Sequence, residues 1–320
     1  MLRRTRRMLW IVVAVLALIA LAVFLRFKAP PEAARLLPES DGIFYINLQP
    51  LRAILRPRLK PVLRAPEYQQ FLDSTGFDWE RDLDQAAIAL HSMPNPDGPN
   101  GPVAYSMVLV GRLDGRRIAA WLDAHAAARE SYAGHTIYTL TSQGRPVRIA
   151  QIGYDTIATS NTPTPEQIHS ILDRRRTAAL PFAGSTLLAQ RYSEIPLLSV
   201  AWAMGQIGLP FTESGAIHVF GLALPLEPDT TFLASLRWAG SFKLRVIEIA
   251  TTPTIAQSQA DSLNLLLTLA RGATASLAPT PANRTLRQLL QATAISRQRN
   301  RVTADATLPA TLPLDLLNAQ

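Results

Sequence analysis

Thr231-Phe232-Leu233-Ala234-Ser235-Leu236-Arg237-Trp238-Ala239-Gly240-Ser241-Phe242-Lys243-Leu244-Arg245-Val246-Ile247-Glu248-Ile249-Ala250-Thr251-Thr252-Pro253 is the stretch whose reading decides the fold. Thr231–Trp238 and Lys243–Ala250 are rich in β-branched, aromatic and alternating residues. They flank Gly240, which reads as the turn of a hairpin. Thr251-Thr252-Pro253 ends the extended pattern and sets a proline at the first turn of a long helix, expected through Leu269. Hairpins joined by helices pair their strands antiparallel. The class this implies is α+β, with a mainly antiparallel sheet carrying its helices on one face.

The same alternation runs outward in both directions. Gly42 to Leu48, Asp84 to Leu90, Val103 to Val110, His135–Thr141, Val147–Ile152 and Thr156–Ser160 read as strands, with the turn-rich loop Met93–Pro102 inside the second pair. Helices are expected over Pro66 to Thr75 (closed by Gly76), from the Asp114 cap through Ala128, over Thr164 to Arg174, and over Leu187–Ser193 behind the Ser185 cap. Pro281 to Ala292, a closing hairpin of Ala294–Arg297 and Val302–Ala306, and a terminal helix Pro309 to Leu317 complete the series. A strand, a Thr/Pro boundary and a helix recur at Thr156–Pro163, Ile247–Pro253 and Val302–Pro309. This fits a duplicated strand–strand–helix unit or a coincidence of common helix starts. The organisation expected is residues 1–28 as cytoplasmic tip and anchor, 29–35 as linker, and two α+β halves, 36–180 and 181–320, separate or continuous.

The chain has 320 residues, 48% hydrophobic and 18% charged, which excludes disorder as its main state. It has no cysteine, so disulfides, cysteine–zinc sites and thiol nucleophiles are excluded. Of the 32 basic residues, six (Arg3, Arg4, Arg6, Arg7, Arg26, Lys28) lie in the first 28 positions, which hold no acid. The remainder is 26 basic against 24 acidic residues. The basic character belongs to the N-terminus, and no nucleic-acid partner is expected.

Met8, Leu9, Trp10 and Ile11 open an uncharged run that ends at Leu25. As a helix it is about 27 Å long, close to the hydrocarbon core of a bilayer. Arg3, Arg4, Arg6 and Arg7 before it, against Arg26 and Lys28 after it, place the N-terminus in the cytoplasm and residues 29–320 outside. A cleaved signal peptide would share the charged start, but the run exceeds a usual apolar region and no small-x-small site follows it. An uncleaved single-pass anchor in a bacterial inner membrane is the expectation. Beyond it, Arg52, Arg56, Arg58, Lys60 and Arg64 lie among leucines; one reading rests them on anionic headgroups, the other packs the leucines on the sheet and leaves the basic groups solvated, and Pro57 and Pro61 weaken the first.

No reactive constellation is recognisable. The five histidines share no metal-ligand spacing, and nucleophile-elbow, Walker and dinucleotide motifs are missing. Asp78, Glu80, Asp82 and Asp84 lack the Gly and Glu of a calcium loop and read as a polar connection. Neither a metal nor a cofactor is expected. The apolar stretches Ile195 to Phe211 and Gly215 to Leu226 read as core strands or as an apolar pocket or surface.

Leu36-Leu37-Pro38-Glu39-Ser40-Asp41-Gly42-Ile43-Phe44-Tyr45-Ile46-Asn47-Leu48, directly after an anchor, resembles the opening of uncharacterised membrane-anchored bacterial envelope proteins with an extracytoplasmic domain of unknown function. Gly111-Arg112-Leu113-Asp114 and Tyr132-Ala133-Gly134-His135-Thr136-Ile137-Tyr138 are similar to later landmarks of that group. The resemblance covers about the first 160 residues and implies an envelope protein without supplying catalytic residues. The function expected is a non-catalytic binding or interaction module with a protein or lipid partner. The alternatives are a carrier of an apolar ligand around residues 195–226, or a hydrolase that recruits Asp82, Asp84, His91 or His135 only on folding.

Overall fold

The computed structural model describes residues 15–16, 29–55, 65–98, 101–142, 144–177, 184–206, 216–219, 222–225, 230–278 and 280–308. In chain order these form α1 (Glu32–Arg35), β1 (Gly42–Asn47), α2 (Leu48–Leu55), α3 (Pro66–Thr75), α4 (Trp79–Asp82), β2 (Leu83–Ser92), β3 (Val103–Gly111), α5 (Gly115–His125), β4 (Ala128–Tyr132), β5 (His135–Ser142), β6 (Arg145–Gln151), β7 (Thr156–Ser160) and α6 (Glu166–Thr177). The second half holds α7 (Thr186–Arg191), β8 (Ser199–Gln206), β9 (Ala216–Val219), β10 (Leu222–Pro225), β11 (Thr231–Trp238), β12 (Phe242–Ile249), α8 (Pro253–Ala275), α9 (Pro281–Ala292), β13 (Thr293–Gln298) and β14 (Arg301–Leu308).

Twelve strands form one sheet in the order β13-β14-β12-β11-β8-β1-β2-β3-β7-β6-β5-β4, and β9 and β10 form a separate hairpin. Every pairing described is antiparallel. The hairpin read from residues 231–250 has the register Thr231↔Ile249 through Trp238↔Phe242, so Gly240 (φ 75°) is its turn. Gly76 (φ 72°) closes α3 as expected, and the Asp114 carboxylate accepts from the backbone N–H groups of Arg116 and Arg117 at the start of α5.

The two halves meet at the middle of this sheet, where β1 pairs with β8 from Gly42↔Gly205 to Ile46↔Ala201. Tyr45 stacks on Trp202 across that seam with ring centroids 5.3 Å apart. Outward from the seam both halves follow one route. Three strands meander (β1-β2-β3 and β8-β11-β12). Helices then cross over, and the last strand of the returning set (β7 or β14) pairs with the third. The recurring unit is therefore larger than strand–strand–helix.

Three expectations need correction. The helices cover both faces, not one. Ile43, Val108, Ile137, Trp202 and Met204 share one core cluster with α1, α6 and α7 residues. On the opposite face, Ile46, Ala86, Leu109 and Val200 pack with residues of α2, α3 and α9. The cause lies in the central strands: Val108 and Leu109 of β3, adjacent and pointing oppositely, are both buried, and a sheet apolar on both sides must be covered on both. Next, α5 ends at His125, and Ala128–Tyr132 is a strand, β4. It is polar and mostly exposed because it is the sheet's last strand. Ala133 (φ 50°) and Gly134 (φ 81°) turn it into β5. Finally, α8 runs six residues beyond Leu269, to Ala275. The expected helix 309–317 lies outside the described residues.

Candidate functional site

Three polar clusters gather groups capable of chemistry or of binding. The first sits at the end of the sheet where β1 begins. His91 on β2 and Ser106 on β3 bring Nε2 and Oγ to 3.0 Å, Ser106 lies 3.2 Å from the Ser160 hydroxyl, and Ser160 lies 2.9 Å from that of Thr162. A histidine beside a serine is the beginning of a hydrolytic pair. Here both are closed off: His91 is 7% exposed and Ser106 fully buried. Burial pushes the His91 pKa down, against an upward pull from the Asp41 charge and the Glu39 backbone. The ladder joins β2, β3 and β7 as a satisfied buried network.

The second cluster lies at the other end of β2, about 25–30 Å away along the strand. Asp82, whose side chain is 8% exposed, takes Arg112 at 3.1 Å and Arg81 at 3.3 Å. The Arg52 guanidinium donates to Asp84 at 2.8 Å and to the Leu83 carbonyl at 2.6 Å, and also bonds the Arg81 carbonyl. Asp78 caps α4, and Trp79 packs edge-on to Phe77 at 4.8 Å. The acidic run is thus a polar bend closed by arginines. Arg52, expected as a headgroup contact, is engaged within the fold. Asp82 and Asp84 are at the opposite end of β2 from His91, and His135 faces the Gln151 carbonyl at 3.1 Å, so the four candidate hydrolase groups do not converge. Arg56, Arg58, Lys60 and Arg64 lie outside the described residues. So do Arg3, Arg4, Arg6, Arg7, Met8, Leu9, Trp10, Ile11 and Leu25. Among the described residues no helix is long and apolar enough to cross a membrane, and no group of three or more His, Asp or Glu could hold a metal ion.

The third cluster was not singled out from the sequence. At the same end as Arg52, one row across the sheet reads Ser199↔Arg237↔Lys243↔Thr307 over β8, β11, β12 and β14. The next row on that face carries Ser235, Arg245 and Asp305. Except for Ser199, these side chains and Pro196 line a cleft of about 400 Å³. Arg245 and Asp305 form a two-pronged pair at 2.7 and 3.3 Å, and that hydrogen bond raises the Arg245 pKa. Among the described residues Arg237 and Lys243 have no acidic partner.

The turn Pro196–Ser199 forms one rim of this cleft. Ser199 closes it by donating its N–H (3.3 Å) and its hydroxyl (2.7 Å) to the Pro196 carbonyl. Glu194, bonded by Arg191 at 3.3 Å and by Arg301 of β14, holds the turn over the sheet. Leu198 sits at φ 63°, a position that in such turns belongs to glycine. It is 75% exposed and its neighbour Leu197 48%. The sequence signal for the cleft was the symmetric placement of Arg237 and Lys243 about Gly240, which pairs them directly. Of the apolar stretch 195–226, β8 is core strand, with Val200, Trp202 and Met204 buried.

No family model matches the chain, and no curated protein matches it. Among solved structures it is similar to crystal form III of TP0453, at 10% identity and a TM-score of 0.51, over 91% of this chain and 99% of that one. Crystal forms IV and I of the same protein align at TM-scores of 0.47 and 0.45. At that identity the likeness concerns the fold alone.

Proposed function

We propose that this chain is a single-pass, membrane-anchored protein of the bacterial envelope, with residues 29–320 outside the cytoplasm and a folded exterior that works as a non-catalytic binding module. The anchor is the apolar run from Met8 to Leu25, oriented by Arg3, Arg4, Arg6 and Arg7. One observation carries the binding reading. The histidine–serine pair capable of chemistry is sealed, whereas Arg237 and Lys243 stand without acidic partners among the described residues at an open cleft beside two exposed leucines. Polar and apolar groups left open side by side are the makings of a recognition surface.

The absence of cysteine makes the topology directly testable. In intact bacterial cells with a permeabilised outer layer, a membrane-impermeant maleimide should label Tyr154→Cys, at a position 84% exposed, without detergent. It should label Thr5→Cys only after detergent is added. The reverse pattern, or release of the chain from washed membranes, overturns the anchored reading.

A further inference from the structure

The rim formed by Leu197, Leu198, Arg237 and Lys243 combines three choices that each work against folding stability. A leucine occupies a left-handed backbone position, where a side chain larger than glycine is strained. That leucine and its neighbour face solvent. Two cations are placed directly opposite on paired antiparallel strands, where like charges repel. One such departure is ordinary. Three within one turn and one hairpin mark a place shaped by something other than the fold.

Resting on the anchored reading above, we propose that this rim docks on the acidic lipid headgroups of the bilayer that holds the anchor. Arg237 and Lys243 take the phosphates, and Leu197 and Leu198 reach past them to the apolar boundary. The pairing of charge with exposed leucine selects this occupant: an acidic peptide would use the cations and leave the leucines wet, and an apolar partner would have to bury the cations. The fold begins with α1 at Glu32, seven positions beyond the end of the apolar run at Leu25, so the folded part is held within reach of headgroups. Arg245, already occupied by Asp305, adds little, which leaves the attraction to Arg237 and Lys243.

The test uses the full chain with one added cysteine, Ala239→Cys, at the exposed hairpin tip between the two cations, carrying an environment-sensitive nitrobenzoxadiazole dye. The chain is incorporated into lipid nanodiscs of phosphatidylcholine alone or of phosphatidylcholine with phosphatidylglycerol. Expected is a blue shift of the dye only in the acidic discs, reversed by high salt. Arg237→Gln with Lys243→Gln should weaken the acidic preference about tenfold or more. Leu198→Gly should diminish the shift while leaving Tm at or above that of the parent, because glycine suits the left-handed turn. Equal emission in both discs overturns the proposal. So does a shift untouched by Leu198→Gly. A response to soluble short-chain phosphatidylglycerol with none to acidic discs also overturns it, and makes the cleft a site for a dissolved ligand. Failure of the chain to enter the discs at all removes the anchor instead, while the comparison of added acidic and neutral discs still reports on the rim.

Discussion

The end of the sheet where β1 finishes and β8 begins carries two groups of basic residues, three strands apart, with opposite fates. Around the start of β2, Arg52, Arg81 and Arg112 each meet a carboxylate of Asp82 or Asp84. Around the end of β11, Arg237 and Lys243 face each other across the hairpin, and the acid of the next row, Asp305, is held by Arg245. The first group closes a bend; the second keeps a cleft open. Basic composition alone does not distinguish a structural clamp from an open cleft. Where the counter-charges fall does.

The largest expected effect breaks the clamp. Arg52→Ala removes a mostly buried guanidinium and leaves Asp84 and the Leu83 carbonyl without their donor, so stability should fall by about 2–4 kcal/mol in urea unfolding. A change within a few tenths would make Arg52 as dispensable as an exposed cation and erase the contrast.

The opposite end of the sheet supplies a control through pH. The His91 pKa is lowered from 6.5, chiefly by burial. Below about 6.5 the unfolded chain therefore binds a proton that the folded chain resists. Stability is full above that value and falls as the pH drops toward the lowered pKa. His91→Gln should flatten this slope in thermal melts taken across the acid range. An unchanged slope would assign the acid sensitivity to other groups.

The smaller effects concern the open cleft and carry the opposite sign. Leu198→Gly relieves the left-handed strain and should be neutral or stabilising by up to about 1 kcal/mol. Lys243→Glu turns a repulsive cross-strand pair with Arg237 into an attractive one and should stabilise by about 0.2–1 kcal/mol. If both substitutions destabilise, the cleft is as structural as the clamp, and calorimetry of the two variants decides it.

Much of this architecture is legible in the order of residues, because hairpins and caps are local. Gly240 between two β-rich runs, Pro66 and Gly76 at the ends of α3, and Asp114 before α5 each act on neighbours in the chain. What the sequence hides is non-local or lacks contrast. The β1–β8 seam joins segments about 160 residues apart with no turn between them. β4 is too polar to read as a strand until its place at the edge is known. Helices on both faces follow from adjacent apolar residues such as Val108 and Leu109, a pattern that also fits any buried strand. The cleft is hidden for the same reason as the seam: Ser199 meets Arg237 only because β8 pairs with β11.

The seam also sets a schedule for synthesis. β1 ends at Asn47, but the strand that covers its free side is complete only at Gln206. At ~5–20 residues per second, the ribosome needs on the order of 10–30 s to make that stretch. Throughout that interval the nascent first half exposes the bare hydrogen-bonding edge of β1, the kind of edge that recruits other strands. A chain truncated before Ser199 is left in that condition permanently. Premature termination should therefore yield sticky, self-pairing fragments rather than a smaller folded protein.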